Sequence, residues 1–304
     1  MENIIDTFTN GFKNMTKNPI LFVPTLLLFL LAFVSAFIIL IPVVIILVIA
    51  FSSSDPDPLV YILILAGFLI LLVLLLLVSS FFSAGQIGMS REVISLGKTS
   101  MSSFFSDGKK YTIRVFLSTI ILMLLNAVTI AFWIPLYSAF VKTGILIDQV
   151  FESYFELVMG NSGPFMELIN MFLIPILIGF LLTFIYSWVL TFLFYFVSYA
   201  IVIDDLSVIA AFKKSVTLLQ NHPGKVIVFI LIISILGFLI SIISNAVSLL
   251  SSLNIYLSLL SLIISLFIFI VTLIFGIVSV VWEARFYMAS TEKEMYVEEW
   301  NADF

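Results

Sequence analysis

Six long apolar runs separated by shorter polar segments organise this chain. They lie at residues 20–51, 59–82, 115–141, 171–203, 226–250 and 255–287. Each run is longer than the ~20 residues that an α-helix needs to cross the hydrocarbon core of a bilayer. The pattern therefore predicts an all-α, polytopic membrane protein with six transmembrane helices. We expect one integral membrane domain over residues 1–304, with a short C-terminal tail at residues 289–304.

Two shorter amphipathic segments precede the first and the fifth run. When Phe8 is aligned with Phe212, apolar residues coincide at helical spacing, and each segment ends at a proline, Pro19 or Pro223. The coinciding pairs are Ile4 with Val208, Ile5 with Ile209, Phe12 with Val216 and Met15 with Leu219. This pattern is typical of helices that lie in the membrane interface and turn into a span at proline. We predict such helices at residues 3–17 and 206–221.

A weaker third copy of this pattern surrounds Phe105, in SMSSFFSDGKKYTIRVF, but it lacks the proline. Three copies predict three repeat units, at residues 1–83, 84–203 and 204–288, each with an interfacial helix, a sharp turn and two spans. The simpler alternative is that these helices are connectors that share only a composition. The glycines of AGQIGMS, Gly85 and Gly88, predict a bend at the end of the second span.

The composition and the distribution of charge add an orientation. The chain is 62% hydrophobic and 10% charged, whereas soluble domains average about 45–50% apolar and 25% charged residues. Of the 13 lysines and arginines, all but Lys142 lie before the first run, between runs two and three, between runs four and five, or at and after the end of run six, where Arg285 and Lys293 stand. Short loops rich in lysine and arginine stay inside. The sequence thus predicts a cell-membrane protein with both termini in the cytoplasm.

Residues that would support catalysis are scarce. The chain has a single histidine and no cysteine, which excludes multi-histidine and thiolate metal sites. It contains neither an H-E-x-x-H nor a G-x-S-x-G motif. We expect no enzymatic activity, no cofactor or metal, and no nucleic-acid partner.

Basic residues concentrate where the amphipathic segments meet the spans, at the level of lipid phosphates. The candidate lipid-headgroup residues are Lys13, Lys17, Lys109, Lys110, Arg114, Lys213, Lys214 and Lys225. The first functional hypothesis is a non-enzymatic protein that organises lipids or protein partners at the cytoplasmic interface of the membrane. The lipids would be anionic ones in particular. One protein partner would be a second copy of the chain. The competing interpretation is that these residues only set the orientation.

A second hypothesis is a transporter or channel that carries a small solute or lipid between the helix pairs. Four serines of the fifth run share one helical face and are the candidate path-lining residues: Ser241, Ser244, Ser248 and Ser252. However, ionisable residues lie near the ends of the spans rather than at their centres, which weakens the case for ion coupling. A lipid-modifying enzyme is the third and least supported hypothesis.

One stretch of the chain resembles a known family. YAIVIDDLSVIAAFKKSVTLLQNHPGKVIVF is similar to a signature of prokaryotic six-span proteins, which include the membrane domain of glycerophosphodiester phosphodiesterases and related uncharacterised integral membrane proteins. The resemblance implies the six-span layout and a non-catalytic membrane part. The catalytic barrel of those enzymes has no counterpart here, so no catalytic residue is carried over.

Overall fold

A computed structural model describes residues 2–31, 58–143, 154, 163–251 and 255–296. All regular structure within these ranges is helical, and they contain no strand. Five helices are long and apolar enough to cross a membrane, or up to six if a bent pair near the N-terminus counts as one span. The prediction of an all-α polytopic membrane protein is therefore confirmed.

Ten helices follow one another in the described part of the chain. They are α1 (Ile4–Lys17), α2 (Pro19–Leu31), α3 (Pro58–Leu96), α4 (Met101–Ala127), α5 (Ile134–Thr143), α6 (Gly163–Phe194), α7 (Val197–Ile203), α8 (Val208–Asn221), α9 (Pro223–Ser251) and α10 (Ile255–Ser290). The first turn of α2, Pro19–Leu21, is a 3-10 helix, and a second 3-10 helix, Val128–Trp133, joins α4 to α5.

The two amphipathic segments form the helices that the sequence predicts. α1 ends at Lys17, and the chain then bends by 92° into α2. α8 ends at Asn221, His222 follows as its C-cap, and Pro223 begins α9. Proline cannot donate the backbone hydrogen bond that would continue the preceding helix. Each helix therefore stops just before its proline, as expected.

Two expectations about the second and third spans are wrong. α3 runs without a break through Gly85 and Gly88, so AGQIGMS forms no bend. These glycines instead allow close approach, because a Cβ atom would collide with the Phe104 ring at Gly85 and with the Asp107 side chain at Gly88. The third copy likewise has no sharp turn, because α4 continues unbroken through Phe105. Without a proline, nothing interrupts its backbone hydrogen bonds.

The chain forms two compact units. Unit 1 comprises residues 1–119 and 196–304, and unit 2 comprises residues 120–195. In unit 2 the 3-10 helix and α5 pack on α6, and the Tyr186 hydroxyl donates a hydrogen bond of 3.0 Å to the Leu125 carbonyl. In unit 1, α1, α3 and α10 meet in an apolar cluster that includes Met15, Met89 and Val281. The three-repeat organisation stays a prediction.

Candidate functional site

Helix α1 is held against α10 by small residues. Its buried positions are Thr7, Gly11 and Met15. A Cβ atom on Gly11 would lie 2.5 Å from Trp282 Cδ1, so only glycine lets the two helices approach this closely. The Trp282 indole donates a hydrogen bond of 2.8 Å to the Phe8 carbonyl, and its ring meets the Phe8 ring edge-on at 4.7 Å. The position of α1 is therefore closely defined.

A buried ion pair fixes the start of the same helix. Arg285 Nε lies 2.9 Å from Glu2 Oε2, and Arg285 Nη2 lies 2.7 Å from Glu2 Oε1. The two side chains are only 8% and 12% exposed, and Asn10 donates a further hydrogen bond of 2.8 Å to Glu2. A bidentate arginine–carboxylate pair constrains both position and angle. It ties residue 2 to a helix that lies 283 residues later.

A basic cleft opens beside this ion pair, and we call it the α1 cleft. It has a volume of about 670 Å³. One wall is the polar face of α1, and the other is formed by the turn after α3 and the segment after α10. The residues that give it its character are Asn10, Lys13, Asn14, Lys17, Lys98 and Tyr296. Glu2 and Arg285 also line the cleft, where they form an ion pair with each other.

The walls of the α1 cleft are connected by hydrogen bonds. The Asn18 amide donates to the Gly97 carbonyl at 3.2 Å, which links the end of α1 to the turn after α3. The Tyr296 backbone N–H donates to the Ile94 carbonyl at 2.7 Å. Gly97 has a φ of +76°, and a Cβ atom there would lie 3.0 Å from the Tyr296 ring. The cleft is therefore built into the fold by contacts between backbone segments.

A second group of charges surrounds the turn between α7 and α8. Asp205 has a positive φ of 53° and accepts hydrogen bonds from Lys110 at 2.8 Å and from Arg114 at 2.6 Å. These bonds, that of Lys110 first, hold the pKa of Asp205 below its ordinary value. Next to it, the Tyr287 hydroxyl donates to Asp204 at 2.6 Å, and Lys293 Nζ lies 2.8 Å from the same carboxylate. This turn is thereby tied to both α4 and α10.

The structure separates the eight predicted headgroup residues into three groups. Lys13 and Lys17 line the α1 cleft. Lys110 and Arg114 pair with Asp205. The remaining four lie on the surfaces of α4, α8 and α9: Lys109, Lys213 and Lys225 are exposed, and Lys214 is half-buried. The eight residues therefore do not converge on one headgroup.

Three charged residues of the α1 cleft were not predicted from the sequence: Glu2, Lys98 and Arg285. Arg285 and Glu2 stand near opposite ends of the chain, so no local spacing indicates their pairing. Lys98 belongs to the turn after α3, and only the fold places it opposite the lysines of α1. The clustering of basic residues at helix ends was the available signal, but it did not show which of them face one another.

The predicted path-lining serines lie on the surface of α9. Ser241, Ser244 and Ser248 are exposed, and Ser252 lies outside the described residues. A path between the helix pairs thus stays a prediction. Across the described ranges, no group of three or more histidine, cysteine, aspartate or glutamate residues is placed to hold a metal ion.

Comparison with known proteins places the chain in a family. A family model described as Domain of unknown function (DUF7847) matches residues 3–290. No curated protein and no solved structure matches the chain. These comparisons give no link to glycerophosphodiester phosphodiesterases, so that resemblance also stays a prediction.

Proposed function

The chain belongs to the family described as Domain of unknown function (DUF7847), and from its own geometry we propose a non-enzymatic membrane protein that organises anionic lipid at the cytoplasmic interface of the cell membrane. One observation carries this proposal. Helices α1 and α8 each carry an apolar stripe that exposes an isoleucine at the same helical position, Ile5 in α1 and Ile209 in α8. Partner proteins, including a second copy of the chain, would bind at the same interface.

The two stripes correspond most closely near the start of each helix, whereas further along Phe12 is exposed and its equivalent Val216 is half-buried. Ile5 and Ile209 occupy equivalent positions and are 70% and 69% exposed. The buried positions correspond as well, because Thr7 matches Ala211 and Gly11 matches Ser215. Both helices therefore pack against the protein through equivalent residues and expose the equivalent isoleucine. An exposed apolar stripe on a helix with a charged face is suited to the boundary between headgroups and acyl chains.

The charge distribution supports the cytoplasmic side. The lysines of α1 and α8 belong to the basic segments that precede the first and the fifth apolar run, and such segments remain in the cytoplasm. The cytoplasmic leaflet carries anionic lipid, and each lysine or arginine near its surface contributes about 1 kcal/mol of attraction. Basic interfacial helices on this side would therefore enrich anionic lipid around the protein.

Among the predicted residues, three lysines are the best placed to bind lipid phosphate: Lys213 and Lys214 in the middle of α8 and Lys225 in the first turn of α9. Lys213 and Lys225 are exposed, and Lys214 is half-buried. Lys213 lies one helical turn from Ile209, on the side of α8 that also carries the exposed apolar stripe. A lysine beside such a stripe can extend its ammonium group to the phosphate level while its stem stays among apolar atoms.

The test replaces these three lysines and compares two variants of equal charge. We expect the Lys213→Gln, Lys214→Gln, Lys225→Gln variant to retain ~10–100-fold less anionic lipid in native mass spectrometry, given about 1 kcal/mol per lysine. The matched control is Lys13→Gln, Lys17→Gln, Lys98→Gln, which removes the same formal charge from the α1 cleft. It should retain more anionic lipid than the first variant, because Lys13 and Lys17 lie roughly 100–140° around α1 from the exposed Phe12, away from the apolar stripe. Equal lipid retention by the parent and the first variant would refute the proposal.

A further inference from the structure

Two basic residues of α4 carry more hydrogen-bond donors than the protein itself uses. They are Lys110 and Arg114, which lie one helical turn apart, and we call them the α4 basic pair. We infer that the α4 basic pair binds the phosphate of one anionic phospholipid, whose acyl chains lie along the same face of α4. This inference rests on the proposed function, since it assigns one defined binding site within the lipid that the protein organises.

Asp205 holds the α4 basic pair from one side. Its carboxylate accepts a hydrogen bond of 2.8 Å from Lys110 Nζ and one of 2.6 Å from Arg114 Nη1. Arg114 Nη1 also donates to the backbone carbonyls of Asp205 at 3.3 Å and of Leu206 at 3.4 Å. The Lys110 ammonium group lies 4.7 Å from the centre of the Tyr111 ring, and the Arg114 guanidinium carbon lies 5.8 Å from it. Both cationic groups are therefore oriented by the protein before a lipid binds.

The other edge of the Arg114 guanidinium group is unused. Within the described part of the chain, every hydrogen bond of this group is donated by Nη1, and Nε and Nη2 donate to no acceptor. Both atoms remain accessible from the surface. Arg285 binds the Glu2 carboxylate through the same Nε–Nη2 edge. A phosphate group accepts such a pair of parallel hydrogen bonds equally well, so Arg114 presents a fork that is suited to a phosphate.

The local charges favour an anion at this position. Asp205 supplies one negative charge against the two positive charges of the α4 basic pair. Across the described ranges, neither Lys110 nor Arg114 forms an ion pair with another carboxylate. The carboxylates nearby in the chain have their own partners, because Asp107 pairs with Arg91 and Asp204 pairs with Lys293. One positive charge of the α4 basic pair is therefore left uncompensated.

The surface next to the α4 basic pair is suited to acyl chains. Ile113 and Leu117 share a face of α4 with Lys110 and Arg114, since the four positions follow the spacing i, i+3, i+4 and i+7. Ile113 is 61% exposed and Leu117 is 46% exposed. They belong to a helix that is long and apolar enough to cross the membrane, Met101–Ser138. A phospholipid would use both the cationic and the apolar part of this face, whereas a free phosphate ion would use only the first.

The experiment measures the binding of dioctanoyl phosphatidic acid to the full chain by isothermal titration calorimetry, in a neutral detergent and after endogenous lipid has been removed. We expect one saturable site per chain. Arg114→Gln should weaken the binding by about 10–100-fold, because a bidentate pair of charged hydrogen bonds is lost. Arg114→Lys should weaken it about tenfold although the charge is kept, because lysine cannot form the bidentate arrangement.

Lys109→Gln is the matched control. It removes one positive charge from an exposed neighbour that lies about 100° around α4 from Lys110. This variant should bind within about threefold of the parent, because an exposed charge that does not touch the phosphate acts only through screened attraction. An unfolding midpoint of Arg114→Lys equal to that of the parent would show that its loss of binding does not come from unfolding. Parental affinity in Arg114→Lys, or an equal loss in Lys109→Gln, would overturn the inference.

A competition experiment separates a phospholipid from a free phosphate. Inorganic phosphate should displace dioctanoyl phosphatidic acid only at concentrations on the order of 100-fold higher, because it has no acyl chains to place on Ile113 and Leu117. Displacement at equal concentrations would identify a soluble phosphate as the ligand and would overturn the assignment to a phospholipid.

The α8 variant Lys213→Gln, Lys214→Gln, Lys225→Gln separates this inference from the proposed function, and it should bind dioctanoyl phosphatidic acid like the parent. If this variant loses lipid in native mass spectrometry while Arg114→Lys binds the probe like the parent, the proposed function stands and the α4 site is wrong. If it retains the parental amount of lipid while Arg114→Lys loses the probe, the α4 site stands and the proposed role of the α8 lysines is wrong.

Discussion

Small residues determine how closely the helices of unit 1 approach one another. Gly11 is packed against the Trp282 indole, Gly85 against the Phe104 ring and Gly88 against the Asp107 side chain. In a membrane, the hydrophobic effect contributes little to the association of helices, because lipid tails are as apolar as the side chains. Close packing around small residues stabilises the association instead. The composition reveals that glycines are present in the spans. It does not reveal which of them face a neighbouring side chain.

Replacing Gly11 tests this view at a single residue. We expect Gly11→Ala to lower the free energy of unfolding in detergent by about 1–3 kcal/mol, because the new methyl group must displace the Trp282 ring. That movement would also disturb the indole hydrogen bond to the Phe8 carbonyl. Gly276→Ala is the control, since this glycine lies on α10 and a methyl group added to it would meet no other atom within 4 Å. Equal stability of the two variants would contradict the prediction.

At the scale of helices, the sequence predicts the ends of α1 and α8 well because they are locally encoded. An apolar stripe at helical spacing and a following proline mark each helix, and the observed bounds are Ile4–Lys17 and Val208–Asn221. The junction of α3 and α4 is not predicted, because its form depends on distant packing. Gly85 and Gly88 look like bend signals in the sequence but serve to accommodate α4.

The candidate site shows the same division between local and distant information. The lysines at the helix ends could be identified from their positions in the chain. That Lys13 and Lys17 face Lys98, while Lys110 and Arg114 are bound by Asp205, depends on contacts between residues about 80 to 95 positions apart. A count of charges in a segment cannot show which residues of distant segments its basic residues will meet.

The position of α1 and α8 relative to the membrane interface can be measured with nitroxide labels. The chain contains no cysteine, so a label attaches only to a cysteine that is introduced. We expect labels at Ile5→Cys and Ile209→Cys to collide more with oxygen, which dissolves in lipid, than with a water-soluble nickel complex, because these positions lie on the exposed apolar stripes. Labels at Lys13→Cys and Thr217→Cys, on the polar faces, should show the reverse. If all four labels collided more with the same reagent, the predicted position of the two helices in the membrane interface would be wrong.

At the scale of the molecule, unit 1 gathers the charged residues of several segments at one end. The Phe8 ring stacks on the Phe229 ring of α9 at 5.6 Å, and Glu2 pairs with Arg285 of α10. Asn18 binds the carbonyl of Gly97 in the turn after α3. The N-terminus, the turn after α3 and the start of α9 therefore lie together. Segments whose polar and charged side chains are in direct contact cannot lie on opposite sides of a bilayer. These segments must therefore lie on the same side of the membrane.

The charge rule predicts that this side is the cytoplasm, and cysteine labelling in intact cells tests the prediction. We expect Lys98→Cys and Lys213→Cys to react with a membrane-impermeant maleimide only after the cells are opened, because 12 of the 13 lysines and arginines lie in segments predicted to be inside. Lys142→Cys should react from outside, since Lys142 is the one basic residue predicted there, and it controls for access to the reagent. Labelling of position 98 and position 213 on different sides would contradict the contacts within unit 1. Labelling of both from outside would leave the fold intact but reverse the orientation, and the proposed attraction to anionic lipid of the cytoplasmic leaflet would fail with it.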